Sequence, residues 1–172
     1  MRLAVLSDSH ITAPDARFER ICATWLTDAD LLLHCGDMVG VSLYHALSRH
    51  PRFFAVRGNC DHFQLDHDLP ATLSLELPLA SGRSFRIGMA HGWGERSTVW
   101  QRVVELFPGH DLVCYGHTHR RDWSSRGGAQ LLNPGSLSEG SLALVDLADD
   151  GSMSCRFVDV DDDPGACLDG EA

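Results

Sequence analysis

The chain has 172 residues, 44% of them hydrophobic, and a formal charge of −10 at pH 7. That length suits one domain able to bury roughly 70% of its unfolded surface, and no apolar run approaches the ~18–20 residues that cross a bilayer. An acidic chain lacks the basic face that grips long nucleic acid, so a polymer nuclease and a membrane protein are both set aside at once.

The first segment, "MRLAVLSDSH", holds one basic residue and an apolar run too short for a signal peptide. It reads instead as a buried strand ending at Asp8, in a soluble, cytoplasmic protein. A helix is predicted from Pro14, with Phe18, Ile21, Cys22, Trp25 and Leu26 on one apolar face. "DLLLHCGD" repeats the first pattern, a strand ending at Asp37. A short helix near "SLYHALSRH" leads to "RFFAVRGNCD", a third strand ending at Asn59. Strand, helix, strand, helix, strand implies crossovers and therefore a parallel sheet. Further on, "TLSLELPLA" and "SFRIGMAHG" predict a hairpin that delivers His91 at its end. A helix follows over "STVWQRVVELF", then the strand "DLVCYGH", then strands over "AQLLNPGS", "SLALVDL" and "MSCRFVDV". The segments "DHFQLDHDLP" and "RRDWSSRGGA" read as loops.

Residues 161–172 carry five of the negative charges and no base. They are expected to form a disordered acidic tail outside a domain spanning residues 1–160. None of the six cysteines forms a C-x-x-C pair, which fits free, mostly buried thiols in a reducing compartment.

Each predicted strand hands over a potential metal ligand where it stops: Asp8 and His10, Asp37, Asn59, His91, then His117 and His119. In open α/β sheets ligands bind beyond the carboxyl ends of the strands, where loops converge. Singly, each of these residues also suits a cap or a turn. Residues two apart in an extended chain project to one side, so Asp8/His10 or His117/His119 could each aim both side chains at a single ion.

In order, D-S-H, G-D, G-N-C-D, H-G and G-H-T-H resemble the signature of the calcineurin-like metallophosphoesterase superfamily, in its small single-domain bacterial and archaeal phosphodiesterase branch, to which the small retromer subunit is related. The resemblance runs from Met1 to about Val160. It implies a four-layer α-β-β-α sandwich of two mixed sheets flanked by helices. It also implies two divalent ions per chain that share Asp37, one taking Asp8, His10 and His119 and the other Asn59, His91 and His117. Such a donor set suits Mn²⁺, Fe²⁺, Zn²⁺, Ni²⁺ or Co²⁺, the ligands alone do not choose among them, and Mn²⁺ is the first expectation. The implied reaction is hydrolysis of small phosphate diesters by a metal-bridging hydroxide, with Asp37, His91, His117 and His119 carrying catalysis through it.

Larger phosphatases of the family have histidine where this chain has Cys60. A thiol is a poorer proton donor near neutrality than an imidazolium, which favours diesters over alkyl monoesters. Cys60 reads either as a weak acid or as a packing residue, and Asp61 as a residue that orients the ligands. Asn59 and Arg120 are candidates for the substrate phosphate, while Arg57 could brace its loop and His34 could hydrogen-bond within the sheet. Trp93 could stack on a substrate ring or pack against its own loop. "NPGS", Asn133 to Ser136, is expected to shape the floor through its backbone. His45, His50, His62, His67 and His110 have no matching role. The competing reading is a non-catalytic, metal-retaining scaffold of the same fold. An exposed edge strand gives a route to a dimer or tetramer, the assemblies common among relatives of this size.

Overall fold

A computed structural model describes residues 1–162. Ten strands form two five-stranded mixed sheets. In the first, β1 (Arg2–Leu6), β2 (Leu31–His34) and β3 (Phe53–Ala55) run parallel, β9 (Ser141–Leu147) joins antiparallel beside β1, and β10 (Met153–Asp159) joins antiparallel beside β9. The second takes the order β4-β5-β6-β8-β7, with β4 (Thr72–Pro78), β5 (Ser84–Ala90), β6 (Leu112–Tyr115), β8 (Ala129–Pro134) and β7 (Arg121–Arg126). There β5, β6 and β8 are parallel, and the edge strands β4 and β7 are antiparallel to their neighbours.

Alternation within the strands sorts the apolar side chains into layers. From β1, Leu3 and Val5 face the second sheet, where they meet Phe85, Ile87 and Met89 of β5, while Ala4 and Leu6 face outward. The outward face is covered by α1 (Ala16–Ile21), α2 (Val41–Leu47) and α3 (Phe63–Asp68) through Phe18, Ile21, Leu43 and Leu65. On the far side of the second sheet, α4 (Val99–Glu105) lays Val99 and Val103 on Val113 and Leu131. The order is helices, sheet, sheet, helix, as the family resemblance implied. No helix among the described residues is long and apolar enough to cross a membrane.

Three local expectations change. The first helix starts at Ala16, where Asp15 Oδ1 accepts from Phe18 N at 2.8 Å, and it continues as a π-helical turn over Cys22–Leu26. The wider turn puts Leu26 in the core and leaves Cys22 and Trp25 half-buried, with Arg156 5.5 Å over the Trp25 ring. The two segments read as loops both carry structure. "DHFQLDHDLP" contains α3, tied down by Leu65 and Leu69. "RRDWSSRGGA" contains β7, whose hairpin to β8 turns on Gly127 and Gly128, both at positive φ. Cys35 and Cys114 are buried and Cys22 and Cys155 partly so, but Cys60 is exposed. Cys167 and most of the expected acidic tail lie outside the described residues.

Candidate metal centre

Five of the parallel strands, β1, β2, β3, β5 and β6, end along one rim, and the chain beyond each supplies the side chains singled out from sequence. The two loops after β1 and β2 stay paired: Asp8 N donates to Gly36 O (3.0 Å), His10 N to Asp37 O (3.1 Å) and Ile11 N to Met38 O (3.2 Å). They are not extended, however. Asp8, His10, Asp37, His117 and His119 all have φ between 50° and 67°, and Val39 has φ 76°. Asp and His are among the non-glycine residues that visit this region most readily; a β-branched valine there is strained.

This corrects the expectation that residues two apart aim at one ion because they are extended. Asp8 and His10 do converge, but His117 and His119 diverge. His117 Nδ1 lies 3.0 Å from Asn59 Oδ1, whereas His119 Nε2 lies 3.2 Å from Asp8 Oδ1 and 3.4 Å from His10 Nε2.

Between them, Asp37 Oδ2 lies 3.4 Å from His91 Nε2 and 3.9 Å from His10 Nε2, and Asn59 Oδ1 lies 3.2 Å from His91 Nε2. Two glycines permit this packing. A Cβ on Gly58 would stand 2.1 Å from Asp37 Oδ1, and one on Gly116 would stand 1.9 Å from Ser7 Oγ.

The proton assignments follow from the outer partners. His91 Nδ1–H donates to Cys35 O (2.7 Å), His117 Nε2–H to Gly94 O (3.1 Å) and His119 Nδ1–H to Glu139 Oε1 (2.8 Å). With those protons so placed, His91 Nε2, His117 Nδ1 and His119 Nε2 turn lone pairs inward. Asn59 Nδ2 donates to Cys60 Sγ (3.1 Å), so its Oδ1 also faces inward. Asp8 Oδ1 is buried and has no hydrogen-bond partner among the described residues, while Oδ2 accepts from Ser7 Oγ (2.6 Å) and His117 N (3.1 Å). Acceptors thus point at acceptors over short distances, an arrangement that repels itself unless cations, or extra protons, sit among them.

The titration behaviour of the cluster has the same origin. Burial raises the Asp8 carboxyl, and His91 only partly offsets it. At Asp37 burial also pushes upward, but His91 and the Cys60 N–H outweigh it and hold the carboxyl below its ordinary range. Burial pushes His91 down, but Asp37 and Asp8 hold it above its usual value, a proton taking the place a cation would fill.

The supporting residues are partly as expected. Asp61 Oδ1 accepts from Val39 N (2.7 Å), and Oδ2 accepts from Gly58 N (2.7 Å) and Asp37 N (3.3 Å). Arg57 braces its loop through Asp66 O (2.7 Å). His34 is buried between Ser9 Oγ and Gly36 N, and burial takes its pKa down to about 3.

Cys60 is not a packing residue: it is exposed, groups with His10 and Asp37, and its thiol is pushed up to about 11 by desolvation and by the Asp37 carboxylate. Arg120 is exposed, and its guanidinium has no hydrogen-bond partner among the described residues. "NPGS" works through side chains as well as backbone, since Asn133 Nδ2 donates to Gly116 O (2.8 Å) and Ser136 Oγ to Asp8 O (2.9 Å). Glu139, the partner of His119, escapes sequence reading because an exposed acid in a turn carries no signal.

Residues 1–150 match the Calcineurin-like phosphoesterase superfamily domain. The chain is 29% identical over 172 residues to the probable metallophosphoesterase YsnB of Bacillus subtilis (strain 168), covering 92% of this chain and 91% of that one. It is 31% identical over 143 residues to a probable metallophosphoesterase of Methanocaldococcus jannaschii, covering 79% and 68%. Among solved structures, wild-type Vps29 of Entamoeba histolytica complexed with zinc shares 25% identity at a TM-score of 0.65, over 94% of this chain and 100% of that one. The matched span takes in every strand but β10 and every strand end that contributes to the cluster, from Asp8 to His119, and the chain belongs to the calcineurin-like phosphoesterase superfamily.

Proposed function

We propose that this protein is a dinuclear metal-dependent phosphodiesterase acting on small phosphate diesters. The observation that carries the reading is the convergence of carboxylate and imidazole side chains around the buried, unpartnered Asp8 Oδ1. Asp8, His10 and His119 would hold one divalent ion and Asn59, His91 and His117 the other, with Asp37 shared. Imidazole, carboxylate and amide donors accept Mn²⁺, Fe²⁺, Zn²⁺, Ni²⁺ or Co²⁺, of which Mn²⁺ is the proposed ion. Such ions supply activated water and charge neutralisation for phosphoryl oxygens.

The chain's own contribution is orientation and charge. Cys35 O, Gly94 O and Glu139 fix the imidazole planes. Two buried carboxylates balance only part of the charge of two divalent ions, so the pocket attracts an anionic ester despite the acidic surface. Cys60, in place of an imidazole, offers a reluctant proton, which suits diesters with stable leaving groups.

The test is hydrolysis of bis(p-nitrophenyl) phosphate and of the p-nitrophenyl monoester by protein stripped of metal and then given Mn²⁺, Ni²⁺, Co²⁺ or Zn²⁺ separately. Metal-restored turnover that favours the diester is the expected result. Two ions bound per chain with no turnover of either ester would overturn it in favour of a metal-retaining scaffold.

A further inference from the structure

Beside the centre lies a cleft of about 360 Å³ that shares Asn59 and His91 with it and is otherwise lined mainly by Trp93, Leu106, Ala71 and Arg57. Ligand pockets usually enclose about 300–1,000 Å³, so this one has room for one ring system and little more. Trp93 is 48% exposed and Leu106 41% exposed, two of the few large apolar side chains open to solvent, and both face this cleft. Among the described residues Arg57 is the one charged side chain lining it, and its guanidinium is engaged by Asp66 O (2.7 Å) and Asp66 Oδ1 (3.4 Å). The cleft is therefore suited to an uncharged, planar group.

Trp93 is held in place. Arg102 Nε and Nη2 both donate to Trp93 O (2.9 and 2.5 Å), Nη2 also to Glu95 O (3.0 Å), and the guanidinium carbon lies 5.9 Å from the indole centroid. Gly92, at φ 94°, is pressed so close to Val99 that a Cβ there would come within 2.5 Å of it. The next residue but one, Gly94, accepts from His117 Nε2 (3.1 Å), so one braced loop both orients a candidate ligand and carries Trp93.

We infer that this cleft is the specificity subsite of the enzyme and takes a flat, uncharged aromatic or heteroaromatic ring carried on one ester substituent, stacked on Trp93 with Leu106 at its edge. The assignment rests on the phosphodiesterase reading, because the ring is delivered there by a phosphoryl group seated at Asn59 and His91.

The experiment is calorimetric binding of methylphosphonate, phenylphosphonate and thymidine 5′-monophosphate to the Mn²⁺-loaded protein, for wild type, Trp93→Ala and Trp93→Phe. Methylphosphonate is too short to reach the cleft and reports the integrity of the centre in each variant. Stacking of a ring on an aromatic side chain is worth roughly tenfold in affinity. Wild type should therefore bind one or both ring-bearing ligands about tenfold more tightly than methylphosphonate. The ratio should fall below about twofold in Trp93→Ala and largely survive in Trp93→Phe.

A preference for phenylphosphonate places the ring directly next to phosphorus; a preference for the nucleotide places it beyond a sugar. Equal affinity for all three ligands in wild type, or a ratio unchanged in Trp93→Ala, overturns the assignment. Ring preference without turnover of bis(p-nitrophenyl) phosphate overturns the phosphodiesterase reading and leaves the cleft standing. Turnover without ring preference does the reverse, and the absence of both turnover and binding of any of the three overturns both.

Discussion

Asp61→Ala should show how the strained loop after β2 is held open for cations. The carboxylate accepts two short bonds of 2.7 Å, from Val39 N and Gly58 N, and a longer one of 3.3 Å from Asp37 N. Hydrogen bonds to a charged acceptor contribute about 1.5–3 kcal/mol each, less where water can take over, and Asp61 is half-buried. A loss of about 2–3 kcal/mol is therefore expected, or about 5–10 °C in Tm for a chain of this size. Without Asp61, Val39 is free to leave its φ of 76°, and Asp37 moves with it. Removing the partner that orients a ligand typically weakens metal binding by about 10–100-fold. The assays are thermal unfolding of the metal-free variant and Mn²⁺ titration by calorimetry. Asp146→Ala serves as a control, since its ion pair with Arg2 is exposed on both sides and is worth under about 1 kcal/mol. An Asp61→Ala protein with wild-type Tm and wild-type Mn²⁺ affinity would refute the bracing role.

Two further outcomes test neighbouring parts of the same architecture. His34 is buried neutral, and burial carries its pKa from 6.5 to about 3 in the folded chain. Its folded pKa is depressed, so below pH 6.5 the unfolded chain binds a proton that the folded chain refuses. The stability His34 contributes is whole above pH 6.5 and is lost progressively as pH falls towards 3, at up to about 1.4 kcal/mol per pH unit. Urea unfolding of the metal-free protein at pH 7 and pH 5 should show a drop about 2 kcal/mol larger in wild type than in His34→Gln, and equal drops would count against a neutral buried imidazole. At Glu139, substitution by Ala removes the acceptor 2.8 Å from His119 Nδ1, whereas Gln keeps a carbonyl oxygen in place. Since Glu139 is 63% exposed, neither change should cost more than about 1 kcal/mol of stability. Mn²⁺ affinity should fall about tenfold in Glu139→Ala and much less in Glu139→Gln; equal affinity in the two would mean that His119 does not need the contact.

Much of the fold was legible because it is written in apolar runs. β1, β2 and β3 are each a short hydrophobic segment ending on a polar residue, with helical spacing between them, and that pattern admits little but a parallel sheet. β7 was missed because its sequence, "RDWSSR", is mostly polar; it lies at a sheet edge, where only some positions meet the core. The Gly127–Gly128 turn was the available sign, since two glycines between strands are a hairpin signal. α3 was missed because one turn anchored by Leu65 has too few residues to show a period.

At the centre, the residue types were readable but the backbone that aims them was not. Nothing in "SDSH" or "GHTH" announces left-handed φ, because aspartate and histidine accept it without a glycine to mark the place. The same residue types that donate to a cation also tolerate the conformation that turns them off the strand end. The ligand pattern and the turn pattern coincide here, which is why each residue taken singly looked like an ordinary turn. Val39 breaks the coincidence. It ligates nothing and sits at φ 76° only because its amide is held by Asp61 and its register by the bridge to Ile11. The bonds that hold that residue against its strain also hold the backbone of Asp37. It follows that the precision of the centre resides as much in Asp61 and Gly58, which touch the backbone of the loop, as in the seven side chains that face one another across it.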